Sequence, residues 1–265
     1  MSTIQVIVLA IVQGLTEFLP ISSSGHLVLV PSAFGWTDQG MAFDVAMHFG
    51  SLTAVLIYFR SDIASLLQGT SQVLRFDISS FEARLALAIG LATIPAAVVG
   101  LMLGDWIGDN LRSPKVIAGT LAGYAVLMLL ADRYGKKVRD FKSFRIQDAV
   151  LIGLAQALAL VPGTSRSGIT ITAGLALGFG RKDAARFSFL LAVPVILLAT
   201  AYELTILAGS ETSVAWGQLA FGAVISAIVA YLSIEFFMRF VSRVGLLPFA
   251  LYRIALAAVI LYALA

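Results

Sequence analysis

The chain has 265 residues, of which 59% are hydrophobic and only 12% charged, and its mean hydropathy is +0.94. A water-soluble domain carries about twice that charged fraction, so a soluble globular fold is excluded. The formal charge of +3 is too small to mark a nucleic-acid-binding surface, and the absence of cysteine excludes disulfides, thiolate chemistry and cysteine-ligated metals.

What remains is a polytopic membrane protein forming one integral domain over residues 1–265. Its apolar runs are continuous rather than alternating, which points to an all-α bundle and not a barrel. The first region, 3–36, is apolar but broken at "FLPISSSG". Full spans are expected at about 42–59, 84–104 and 114–131. The linker 132–147 is rich in Arg and Lys. A second broken region, 148–179, is interrupted by "LVPGTSRSG", and three more spans follow at about 187–207, 215–238 and 248–264. The arms after the two breaks are about 14 residues, roughly 21 Å as helix, against a hydrocarbon core of about 30 Å. Six transmembrane helices plus two re-entrant helical hairpins are therefore expected.

Basic residues set the orientation. Arg133, Lys136, Lys137, Arg139, Lys142 and Arg145 place the central linker in the cytoplasm, and the loops carrying Arg60, Arg75, Arg84, Arg181, Lys182, Arg186, Arg239 and Arg243 fall on the same side. The opposite side receives Arg112 and Lys115 beside Asp105 and Asp109, together with "GSETSV". Both termini come out on that outer side.

The broken regions align at an offset of 143 residues: Gln13 with Gln156, Leu15 with Leu158, Ser22 with Ser165, Ser24 with Ser167 and Gly25 with Gly168. An odd number of spans separates them, so the repeat halves, about 1–131 and 148–265, are inverted. Inverted repeats with broken helices build polar sites near the midplane, where irregular backbone lines a cavity.

Each second arm starts at a serine-rich turn, "SSSGHLVL" or "SRSGITIT". Serine caps helix N-termini and glycine lets backbone approach closely, so two helix starts would aim N–H groups at one spot, an anion site suited to phosphate. Arg166 adds a planar fork for phosphate oxygens. Glu17, four residues after Gln13 on one helix face, suits a divalent cation or proton transfer, and His26, within a turn of Ser22 and Ser23, suits a base for a hydroxyl nucleophile. His48 reads as a packed or lumen-facing residue, and Glu203 and Glu235 as span-end residues. Gly174 and Gly178 read as helix-packing positions.

At these residues the chain closely resembles the undecaprenyl-diphosphate phosphatase (bacitracin-resistance protein) family. The family's (E/Q)xxxE motif, followed by a Ser-rich turn and Gly-His, reads here Gln13 to Glu17 and then "FLPISSSGH"; its PGxSRSxxT motif reads "PGTSRSGIT" from Pro162 to Thr170. "FDVAMHFGSLTAVLIYFR" and "LLPFALYRIALA" extend the match along the whole chain. The resemblance implies hydrolysis of a C55 polyprenyl diphosphate lipid to the monophosphate, which recycles the lipid carrier for peptidoglycan, and tolerance of bacitracin, which sequesters that substrate. It also implies dependence on Mg²⁺ or Ca²⁺, a bacterial inner-membrane location and a site facing the periplasm or exterior. A homodimer is compatible with it. Some family members carry Glu where Gln13 stands; the amide here removes one possible metal-binding carboxylate, with Glu17 the main metal candidate and Gln13 the second.

The expected catalytic residues are Glu17, Ser23, His26 and Arg166. Ser22, Ser24, Gly163, Thr164, Ser165, Ser167, Gly168 and Thr170 are the expected phosphate-binding positions. Attack by Ser23, by water or by His26 all remain open. A likeness to type-2 phosphatidic acid phosphatases fails, because His26 and His48 both lie upstream of Arg166. The alternative function is a polyprenyl-phosphate flippase using the same anion site.

Overall fold

A computed structural model describes residues 1–37, 39–208 and 215–264, so the expected outer loop "GSETSV" lies outside the described residues. Every regular element among them is helical: α1 Thr3–Thr16, α2 Ser23–Ala33, α3 Met41–Tyr58, α4 Arg60–Val73, α5 Phe81–Asn110, α6 Pro114–Tyr134, α7 Ile146–Ala157, α8 Arg166–Ala176, α9 Arg181–Ala208, α10 Trp216–Val244 and α11 Leu247–Leu264.

Among the described residues four helices, α5, α6, α9 and α10, are long and apolar enough to cross a membrane. A fifth span results if α3 and α4, bent by 90° at Phe59, count as one. The chain is thus a multi-pass, all-helical membrane protein. Helix α4 departs from expectation: its sequence, "RSDIASLLQGTSQV", falls in what the charge pattern makes a basic loop.

The four arms α1, α2, α7 and α8 have 14, 11, 12 and 11 residues. At 1.5 Å per residue none exceeds about 21 Å, too short for a hydrocarbon core of about 30 Å. The offset of 143 reappears in the backbone. Helices α1 and α7 start at Thr3 and Ile146, and α2 and α8 run over 23–33 and 166–176. Each second arm is capped by a serine in the same unusual conformation, Ser22 at φ 75° and ψ 97°, Ser165 at φ 71° and ψ 111°. A positive φ in a residue with a Cβ costs about 1 kcal/mol or more. The serine hydroxyl offsets part of it by accepting from Gly25 N at 3.4 Å or Gly168 N at 3.1 Å.

The halves interlock. Helix α1 packs along α10 of the second half and α7 along α5 of the first, while α3 meets α10 and α6 meets α11. Lipid tails are as apolar as leucine, so such pairs depend on close approach rather than on the hydrophobic effect. A Cβ on Gly14 would stand 2.7 Å from Ser226 O, and one on Gly153 2.6 Å from Ala92 O. The central linker is folded rather than loose. Arg139 pairs with Asp148 at 2.5 and 2.8 Å, a contact that raises its guanidinium above the ordinary value, and lies 4.1 Å over the Phe179 ring. Phe144 stacks on both Phe179 and Phe187.

Candidate active site

The two breaks meet, and the matched serines Ser24 and Ser167 each reach the opposite break. Ser24 Oγ accepts from Gly163 N at 3.5 Å, and its repeat mate Ser167 donates to Leu19 O at 3.1 Å. Ser22 and Ser24 hydroxyls are 3.3 Å apart, as are those of Ser165 and Ser167. A residue outside both motifs pins the junction. Arg253 of α11, 1% exposed, donates to the carbonyls of Thr164 at 2.9 Å, Gly163 at 3.1 Å, Leu121 at 3.2 Å, Pro20 at 3.4 Å and Thr120 at 3.5 Å. Carbonyls left by two irregular segments need donors in a bilayer, and one guanidinium supplies them. The stretch "LYRIALA" offered a signal for it: a single Arg in an apolar run.

Glu17 is the hub. It continues the last turn of α1, with its N–H donating to Gln13 O at 3.0 Å. Its Oε1 receives Arg166 Nη2 at 3.2 Å; its Oε2 receives Gln13 Nε2 at 3.0 Å and Ser23 Oγ at 3.1 Å. His48 Nε2 lies 3.7 Å from Oε2. Arg166 also donates to Ser188 O at 3.2 Å. Gln13 and Glu17, one turn apart, meet on one face of α1; Ser23 reaches Glu17 across the break, and Arg166 closes on it from the opposite repeat.

A cavity of about 220 Å³ opens on this cluster. Of the expected site residues, Glu17, Ser22, Ser23, Ser24, Ser165 and Arg166 line it, facing an apolar wall of α5 and α9 residues such as Ala96, Val195 and Ile196. Five expected phosphate ligands do not. Gly163, at φ +89°, is pressed against Ile117 and Thr120; Gly168 N is consumed by the Ser165 cap. Ser167 is turned to Leu19, Thr170 donates back to Arg166 O at 2.8 Å, and Thr164 is fully buried. The motif's conformation uses these residues to build the turn rather than to face the cavity.

His26 requires a correction. Expected beside Ser23 as its base, it instead turns its Nδ1 to Ser22 O at 2.7 Å and its Nε2 to Tyr252 OH at 2.6 Å, with the two rings stacked. Both ring nitrogens are engaged away from Glu17 and Ser23. The histidine at the site is His48 of α3, read from sequence as packed or lumen-facing; it faces the lumen, and Glu203, read as a span-end residue, joins it in the cavity lining. An ionisable residue inside an apolar span was the available signal for both.

The donor set limits how a metal could be held. Among the described residues no group of three or more His, Cys, Asp or Glu is gathered. Glu17 already carries a guanidinium, and beside it Gln13 Oε1 is buried without a hydrogen-bond partner. One carboxylate and one amide oxygen fit a divalent cation only when substrate phosphate oxygens complete its shell, the usual habit of Mg²⁺.

Comparison with known proteins agrees with the motifs. The family model described as bacitracin resistance protein BacA matches residues 6–259. An undecaprenyl-diphosphatase of Nitrosococcus oceani is 52% identical over 262 residues, covering 99% of each chain. Proteins of the same name from Hahella chejuensis and Alcanivorax borkumensis are 51% and 49% identical, covering 97% and 100% of each chain.

Proposed function

The chain belongs to the bacitracin resistance protein BacA family, and from that premise we infer that its cavity hydrolyses undecaprenyl diphosphate to undecaprenyl phosphate and orthophosphate. The reaction recycles the lipid carrier of cell-wall synthesis and underlies bacitracin resistance. The observation that carries the chemistry is the placement of Ser23 Oγ, 3.1 Å from Glu17 Oε2, with Arg166 on the carboxylate's other oxygen. A flippase needs only an anion site; a hydroxyl held against a carboxylate beside an arginine is the equipment of phosphoryl transfer.

In the mechanism this geometry favours, Ser23 Oγ attacks the terminal phosphorus while Glu17 accepts its proton. The bridging P–O bond breaks, its electrons leave with the lipid monophosphate, and a phosphoserine remains. Arg166 and the first-turn N–H groups of α2 and α8 stabilise charge on the phosphoryl oxygens. Glu17 and Gln13 would hold a divalent cation shared with the diphosphate, which would neutralise phosphate charge. The apolar wall of α5 and α9 suits the first prenyl units.

The reading extends to topology: six spans with two re-entrant hairpins, the basic linker in the cytoplasm and the cavity facing the periplasm. The α9 residues lining the cavity run from Val195 to Glu203, far from the basic start of α9 at Arg181. That supports an opening away from the positive side. The deciding experiment is orthophosphate release from undecaprenyl diphosphate by the purified protein, with and without a chelator. Folded protein that releases none under any cation condition would overturn the reading.

A further inference from the structure

Gln156 is the repeat mate of Gln13, and the two amides do opposite jobs. Gln13 turns its nitrogen to Glu17. Gln156 turns its nitrogen away, to Ala92 O of α5 at 3.3 Å. That backbone oxygen can only accept, so the amide's orientation is set by the network and the other end must be the carbonyl. Gln156 is 1% exposed, it lines the cavity with Glu17, Ser23 and Arg166, and its Oε1 is buried with no hydrogen-bond partner among the described residues.

A buried acceptor of this kind wants a donor. None of the described donors reaches it: Ser23 turns to Glu17, and the engaged nitrogens of Arg166 turn to Glu17 and Ser188 O. The substrate cannot serve, since ionised phosphate oxygens only accept. Water is the small donor that fits, and one of its O–H bonds on Gln156 leaves its lone pairs free for phosphorus. We propose that Gln156 is a positioning residue that holds, through Oε1, the water that ends each turnover.

The proposal rests on the Ser23 reading above. The water oxygen forms a bond to the phosphorus of phosphoserine, and the P–Oγ bond breaks. Glu17 returns its proton to Ser23 Oγ. The water's two protons leave with the product as dihydrogen phosphate. Gln156 itself exchanges no proton; it fixes where the water stands, and that geometry is worth part of the rate.

The test uses the full-length protein in detergent with undecaprenyl diphosphate labelled in its terminal phosphate. Acid-quenched time courses follow lipid monophosphate, orthophosphate and label on the protein. A parallel series adds methanol and measures the ratio of methyl phosphate to orthophosphate. In Gln156→Leu the first burst of lipid monophosphate should persist, orthophosphate release should slow about tenfold, the scale of one well-placed hydrogen bond, and label should accumulate on Ser23. The methyl phosphate ratio should rise, because water has lost its holder. Gln156→Glu, which keeps an acceptor oxygen, should hold the wild-type ratio, and Gln156→Met replaces Gln156→Leu if the latter does not fold.

If both products slow together and the methanol ratio stays at the wild-type value in Gln156→Leu, the side chain is structural and the proposal is overturned with the Ser23 reading intact. If wild-type Ser23 never carries label and Ser23→Ala keeps turning over, the Ser23 reading fails instead. The methanol ratio then still decides whether Gln156 holds the water that attacks the diphosphate directly.

Discussion

Replacing Glu17 by Gln keeps the volume of the hub and removes its charge. The carboxylate accepts from three donors on its two oxygens, Arg166 on one side and Gln13 with Ser23 on the other. The amide that replaces it has one oxygen, so either Arg166 or the Gln13–Ser23 pair would face an NH2 group. Breaking a fully buried ion pair by removing one partner costs roughly 3–5 kcal/mol. This pair borders a cavity, and the Arg166 side chain is 13% exposed, so about half that cost is expected, ~2 kcal/mol. For a chain of this size that lowers the unfolding midpoint by about 4–8 °C. The loss of the base should be much larger, about a thousandfold in kcat, within the range for general-base catalysis. At saturating divalent cation KM should not rise, because one negative charge beside the diphosphate has gone. The assays are orthophosphate release across substrate concentrations and thermal unfolding in the same detergent. A Glu17→Gln protein with kcat within about tenfold of wild type, but with the lowered midpoint, would show that Glu17 serves only to seat Arg166.

Arg166→Lys keeps charge and loses the fork that joins Glu17 to the phosphoryl group; turnover should fall about a hundredfold or more. Ser23→Ala should be nearly inactive while still binding lipid diphosphate through Arg166 and the helix ends; binding lost in Ser23→Ala but kept in Arg166→Lys would exchange the two roles. Gln13→Glu sets a second carboxylate against Glu17, so activity at saturating Mg²⁺ or Ca²⁺ should stay within about tenfold of wild type with a steeper cation requirement, and an unchanged cation titration would count against a cation at this position. Ser165 combines a cap with positive φ: Ser165→Ala should cost about 1–2 kcal/mol, read as a lower unfolding midpoint, whereas Ser165→Gly loses the cap but relieves the strain and should be nearly neutral. Equal midpoints for the two variants would remove backbone strain from the account of this turn.

The membrane class, the two breaks, the serine caps and the repeat offset were legible in the sequence because each follows from short-range rules. Continuous apolarity reports the solvent. A Pro-Ile-Ser-Ser or Pro-Gly-Thr-Ser stretch stops a helix, and the Ser-x-x-Gly there starts the next. The pairing of Gln13 with Glu17 needs only a turn of helix, whereas the contact of Ser23 with Glu17 across the break appears only in the folded chain. The motifs also carried the family, since they name the chemistry as well as the turn. Helix α4 escaped because "RSDIASLLQGTSQV" is amphipathic and lies against α5, so its composition resembles a loop's.

Which side chains reach the cavity was decided by the tertiary structure. Ser22 to Gly25 and Ser165 to Gly168 are matched in sequence and backbone, yet His26 is drawn to a tyrosine 226 residues away, while His48 arrives from a span that no motif links to the break. Gln13 and Gln156 occupy matched positions, but one meets Glu17 and the other the Ala92 carbonyl, because α1 packs on α10 and α7 on α5. Arg253 holds carbonyls of both breaks and of α6 together from the far end of the chain. Local sequence specifies the conformation of a turn through hydrogen bonds a few residues long; the direction each of its side chains faces depends on which distant helices supply the donors, acceptors and space around it.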